Sequence, residues 1–237
     1  MALPRINEVP EYEMVIPSTG SIIKYRPFLV KEQKILLIAF ESQDKKQILN
    51  AIISTLQACL PEDVKVENLP SFDIDYIFTQ IRSKSVGETV DIIGKCQHCD
   101  HKNKLSINLT EITPPQNIKK EIIIELTSDI SLEMEYPTYS NLFNSMLTDE
   151  ASQTEVLMKF IISCIKYLIT SEEKINMKDE SLEEKQRFIG SLNASQFQKL
   201  SEFINQLPQL EKDISYVCEN CNKENEKTVK GMEDFFL

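Results

Sequence analysis

Apolar residues interleave with polar ones over Glu11 to Ile16 and again over Ser21 to Arg26, on either side of Ser18-Thr19-Gly20. The spacing predicts an opening β-hairpin within residues 1–30, entered through a proline-bearing, extended start (Pro4, Pro10, Pro17). Beyond Pro27 the pattern becomes helical. Ile35, Leu36 and Ile38 mark one helical segment, and Ile48, Leu49, Ile52, Ile53, Leu56 and Leu60 recur at the i, i+4, i+8 spacing of a second helix that Pro61 ends. A third follows Pro70, with Ile74, Ile77, Phe78 and Ile81 on one side and Gly87 as its stop. Residues 31–87 thus read as a helical part.

After Pro114-Pro115, Glu121 to Leu126 and the alternating Ile130 to Tyr136 predict a second hairpin over 118–137, closed by Pro137. From about Tyr139 the pattern reads as helical through to Leu207, with breaks near Thr148-Asp149, Ser171 to Asp179 and Gly190. Ser181 with Glu184, and Asn193 with Gln196, have the spacing of capping boxes. Val156 to Ile169, the most apolar stretch, is expected to be one buried helix, because a membrane span needs about 20 apolar residues and Lys159 and Lys166 interrupt this one.

Two Cys-x-x-Cys turns change the picture. Cys96 and Cys99 lie between one pair of short strand-like segments, Cys218 and Cys221 between another, and each pair runs into a polar turn and then a strand. Such a turn supplies two thiolates from one backbone bend, and two of them complete the tetrahedral set of a structural zinc. The expectation is a four-cysteine site that makes residues 88–110 and 214–237 one split zinc ribbon, with 138–210 as a helical insertion between its halves. A mixed site drawing on His98 or His101 is the alternative. A redox role is disfavoured because a thioredoxin-like pair opens a helix, and disulfides are disfavoured because neither a signal peptide nor a membrane-length stretch accompanies the cysteines. Cys59 and Cys164 fall on apolar helical faces and read as core residues. The expected fold is α+β, a mostly helical body with β-hairpins and a zinc ribbon, within a single unit of 237 residues.

Charge and composition remove several functions. A net charge of −11 disfavours a broad nucleic-acid footprint or an anionic membrane surface. Near the second knuckle, Tyr216 and Phe235 keep company with Glu219, Glu224, Glu226 and Asp234, where a nucleic-acid reader would concentrate lysine and arginine. Both histidines belong to the first knuckle region, and five glycines leave no phosphate-cradling loop. Asp73 and Asp75, two apart on a predicted helix, diverge and form no catalytic pair. The acidic run from Glu172 to Glu184 reads as a solvated face.

Phe72 to Glu88, with Arg82, Ser85 and Gly87, followed by the Cys96/Cys99 knuckle, resembles the baseplate proteins of T-even-type contractile-tailed bacteriophages, as do the opening Met1-Ala-Leu-Pro4 and the Phe235-Phe236-Leu237 end. The resemblance implies a non-enzymatic protein, made in the cytoplasm of the infected host, that binds other hub proteins while the central hub of the tail baseplate is built, whether or not it stays in the virion. Within it, Arg82 is a candidate for gripping a partner carboxylate, or else a favourable cation at a helix C-terminus. Phe235, Phe236 and Leu237 either dock on a partner or fold back on the ribbon. A regulatory or nucleic-acid-binding zinc-ribbon protein is the competing reading.

Overall fold

The computed structural model describes residues 9–139, 141 and 153–231. The chain divides into two compact units, one formed by Met1–Val66, Phe72–Gln116 and Gln209–Leu237, the other by Glu67–Ser71 and Asn117–Pro208.

In the first unit the predicted hairpin forms from β1 (Tyr12–Val15) and β2 (Ile22–Tyr25), paired Tyr12 to Tyr25. Its turn closes where the Gly20 amide donates to the Ile16 carbonyl at 2.8 Å, with Gly20 at a φ of 72° that suits glycine. Helix α1 (Val30–Ser42) starts at Leu29, whose amide donates to the Glu32 carboxylate at 2.8 Å, and Glu32 also pairs with Arg26 at 3.0 Å. Gln43, at a φ of 54°, ends it, and Asp44 caps α2 (Lys45–Cys59) by accepting from the Lys46 and Gln47 amides. The expected stripes are buried: Leu56 on α2, and Ile74, Ile77 and Ile81 on α3 (Ser71–Ser85), are all 0% exposed. On α1, Val30, Leu37 and Ile38 share the opposite face by their i, i+7, i+8 spacing and are exposed.

Asp73, near the start of α3, is fully buried. Its carboxylate accepts the Ser18 amide at 2.9 Å and the Ser18 hydroxyl, so helix and hairpin turn are tied by one side chain. Burial pushes its carboxyl up to about 6, against the two hydrogen bonds that pull it down. Asp75 turns elsewhere, towards Gly231.

The same unit holds two seven-residue hairpins, β3 (Thr89–Lys95) with β4 (Lys102–Asn108), and β9 (Glu211–Val217) with β10 (Glu224–Lys230). The last pair starts three residues before the expected ribbon boundary, because the alternation of exposure already begins at Glu211. Ile92, Leu105, Ile107 and Leu109 join Leu210 and Val229 in one core, with Ile214 and Tyr216 packed against it.

The second unit centres on an antiparallel meander of β5 (Ile122–Glu125), β6 (Ile130–Met134), β7 (Ile165–Thr170) and β8 (Lys174–Asn176). Helices α4 (Gln153–Ser163), α5 (Leu182–Gly190) and α6 (Ala194–Asn205) supply Ile161, Ile189 and Leu200 to the cluster around Leu132. The box at Asn193 and Gln196 closes in both directions, and Ser181 accepts the Glu184 amide. On the sheet Glu133 accepts from Lys174 at 2.6 Å and pairs with Lys166 at 3.2 Å, which holds its carboxyl below the ordinary range.

Two expectations are corrected here. A mostly helical body overstates the helix, since 40% of the described residues are helical and 27% are strand. The apolar run Val156 to Ile169 is not one helix: α4 stops at Ser163, the Cys164 amide turns back to the Ile161 carbonyl, and the chain continues as β7, pairing Leu168 with Leu132. Ile165-Lys-Tyr-Leu-Ile-Thr170 is rich in β-branched and aromatic side chains, which lose rotamer freedom in a helix and pack well on a sheet. The break expected near Thr148-Asp149 lies outside the described residues. Of the segment read as a helical insertion, the described part is therefore mixed helix and sheet.

Candidate metal centre

The two hairpin turns bring Cys96, Cys99, Cys218 and Cys221 together, with all four sulfurs within 4.8 Å of one another. Across the knuckles, Cys96 Sγ lies 3.6 Å from Cys221 Sγ and Cys99 Sγ 3.7 Å from Cys218 Sγ. These are free thiols. Four thiolates bonded at about 2.3 Å to one tetrahedral ion stand about 3.8 Å apart, so the cluster has the size such an ion requires. His98 and His101 are exposed and outside the cluster, which removes the support for a mixed site.

The turns are built alike. The Cys96 amide donates to the His101 carbonyl at 2.8 Å and the Cys218 amide to the Lys223 carbonyl at 2.9 Å; the Asp100 and Asn222 amides return to the Cys96 and Cys218 carbonyls. Asp100 and Asn222, each directly after a second cysteine, have φ of 59° and 56°, a left-handed conformation that short Asx side chains tolerate. Gly94 makes the approach possible: a Cβ there would stand 2.6 Å from Leu105 Cδ1 and 3.1 Å from Tyr216 Cζ. Tyr216 then donates its hydroxyl to the Lys95 carbonyl at 2.9 Å, and Lys227 its ammonium to the Ile93 carbonyl at 2.9 Å, so the two hairpins are stitched along their length.

The electrostatics set Cys96 and Cys218 apart from Cys221. Burial pushes the Cys218 thiol up, but the Cys221 and Asn220 amides, with Cys96 and Asn103, bring it down to about 6. Cys96 is likewise lowered, against burial, by the His98 and Cys99 amides. The Lys223 amide pulls Cys221 down, while desolvation and the neighbouring cysteines push it up to about 12. Four thiols this close cannot all ionise unaided, and a cation among them removes that conflict. Cys59 and Cys164 behave differently: both are buried in apolar surroundings that push them up to about 11 and about 12, the signature of inert core thiols.

Two side chains absent from the expected set complete the centre. Asn103 and Asn225 are 2% and 3% exposed, and each accepts a backbone amide from the opposite knuckle. Their signal was available in the sequence as a repeat, Cys-x-x-Cys-Asp/Asn-x-x-Asn, at 96–103 and 218–225. Of the candidate partner residues, Arg82 lies in the last turn of α3, half-buried, its guanidinium donating to the Gly87 carbonyl at 3.4 Å. Phe235, Phe236 and Leu237 lie outside the described residues.

An α+β chain whose two distant Cys-x-x-Cys hairpins converge on one four-thiol centre is thus the class of molecule that fold and site define. The model of the T4 bacteriophage base plate protein family matches residues 9–237, and the chain belongs to that family. Neither a curated protein nor a solved structure matches it. No helix among the described residues is long and apolar enough to cross a membrane.

Proposed function

We propose that this chain acts without catalysis in building the central hub of a contractile phage tail baseplate, by binding other hub proteins in the host cytoplasm, and that Cys96, Cys99, Cys218 and Cys221 hold one structural zinc. Family membership over residues 9–237 is the observation that carries the baseplate role. The convergence of four sulfurs within 4.8 Å supports the zinc. With four thiolates around it the ion keeps no open position for substrate or water, which favours a structural over a catalytic role. Thiolate ligands and tetrahedral spacing favour zinc over magnesium or calcium, which take oxygen ligands.

The exposed apolar face of α1, with Val30 80%, Leu37 53% and Ile38 54% exposed, fits a chain that works against other proteins. Partner contacts by Arg82 and by the Phe235-Phe236-Leu237 end are proposed from the sequence. The zinc-ribbon nucleic-acid reading is less well supported, because Glu219, Glu224 and Glu226 stand on and beside the second knuckle. Co-expression of the chain with the other tail proteins of its own genome, followed by native mass spectrometry, tests the role. A stable complex with a hub protein is expected. A chain that stays alone with those proteins yet retains nucleic acid would turn the assignment to the competing class.

A further inference from the structure

Seven residues after its first cysteine each knuckle carries a buried asparagine, and both cross to the other knuckle at the same relative place. Asn103 Oδ1 accepts the Glu219 amide at 2.9 Å, and Asn225 Oδ1 accepts the Gln97 amide at 2.9 Å. Gln97 and Glu219 are the residues directly after Cys96 and Cys218, at the crest of each turn. We infer that Asn103 and Asn225 are positioning residues for the metal centre, each fixing the opposite turn so that the four sulfurs converge. The inference rests on the zinc reading given above.

A knuckle turn held only by its own hairpin is free to rock about the strand axis, which moves both of its sulfurs together. A bond to the amide at its crest removes that motion. Because the same bond is made in both directions, neither turn can rotate without breaking the amide that holds its partner. The His98 amide, one residue beyond the held Gln97, donates to Cys96 Sγ at 3.4 Å, so fixing the crest also fixes the donors aimed at sulfur. Outer-shell groups that orient ligands in this way commonly change metal affinity 10–100-fold when removed.

The two asparagines differ at their amide nitrogens. Asn103 Nδ2 donates to the Gly94 carbonyl at 3.3 Å, the His101 carbonyl at 3.2 Å and Cys218 Sγ at 3.7 Å, whereas Asn225 Nδ2 donates to the Lys223 carbonyl at 2.8 Å. Aspartate keeps the Oδ1 acceptor and the volume at either position, but turns a carboxylate oxygen on the Gly94 and His101 carbonyls and the Cys218 sulfur at 103, and on the Lys223 carbonyl alone at 225.

The test is zinc release from the full chain to a chromophoric chelator, with the visible spectrum of the cobalt-loaded protein, for wild type, Asn103→Ala, Asn225→Ala, Asn103→Asp and Asn225→Asp. Both alanine variants are expected to hold zinc about 10–100-fold more weakly and to shift the cobalt spectrum. Asn225→Asp, which meets one carbonyl and no sulfur, is expected to hold zinc more tightly than Asn103→Asp, which sets its carboxylate on two carbonyls and the Cys218 sulfur. If the alanine variants do not fold, the contrast between the two aspartate variants decides. One zinc bound by every variant with unchanged release and spectrum, or a lowered melting temperature alone, overturns the latch and leaves the zinc reading standing. A wild type that takes up no zinc overturns both.

Discussion

Gly94 and Tyr216 occupy matching places, each two residues before the first cysteine of its knuckle, and the contrast between them is steric. One hairpin gives up a side chain so that the other can lay a ring there. Gly94→Ala sets a methyl against Leu105 and the Tyr216 ring, and overpacking of this kind costs about 1–3 kcal/mol. Denaturant unfolding should show that loss, and a Gly94→Ala, Tyr216→Ala double variant should lose less than the sum of the two single losses, since the methyl no longer meets the ring. Asp73 carries a pH dependence. Its carboxyl is raised from 3.8 to about 6 in the folded chain by burial, so the folded state holds a proton that the unfolded state has released across that window. Its contribution is full below pH 4 and is lost as the pH rises through 6, on the order of 2–3 kcal/mol. Comparing wild type with Asp73→Asn from pH 4 to 7 isolates it, since the metal centre titrates alike in both; parallel stability curves would contradict the assignment. Neither role was legible in the sequence. Gly94 reads as any strand glycine, and only the fold reveals that Asp73 faces Ser18 instead of water.

At the scale of elements, what the sequence predicted well is what local chemistry decides alone. The Ser18-Thr19-Gly20 hairpin, the apolar stripes of α2 and α3, the box at Asn193 and the two knuckle turns all formed, because each rests on residues adjacent in the chain. Val156 to Ile169 failed for the opposite reason: a continuous apolar run satisfies the helical and the strand pattern equally, and pairing with Leu132, some thirty residues earlier, settled the second half as strand. Leu132 is 0% exposed at the centre of that sheet and its helices, so Leu132→Ala should cost about 2–5 kcal/mol in chemical unfolding. Asn193→Ala removes a cap whose bonds are both made, at a cost of about 1 kcal/mol, and should be measurable as a small shift in the same experiment.

The whole molecule depends on two hairpins, far apart in sequence, that meet at one centre. The hairpins at 89–108 and 211–230 are separated in sequence by Asn117–Pro208 of the second unit, yet belong to one unit with shared core residues, converging sulfurs and reciprocal amides. With zinc held as proposed, metal-binding free energy on the order of 10 kcal/mol would become folding free energy for that ribbon. Chelation should therefore expose the C-terminal hairpin first, with proteolysis inside 211–230 preceding cuts in the α2 and α3 region; an unchanged cleavage pattern would count against the coupling. The four cysteines were readable from spacing, and the fold brings them together within one chain. The asparagine latch was present as a repeat but needed the fold to show which amide each side chain meets.

X-ray absorption at the zinc edge of the purified chain tests the central claim most directly. One zinc per chain, with four sulfur neighbours at about 2.3 Å and no nitrogen, is the result the four-thiolate centre predicts. A shell containing imidazole nitrogen from His98 or His101, or no zinc at all, would contradict it.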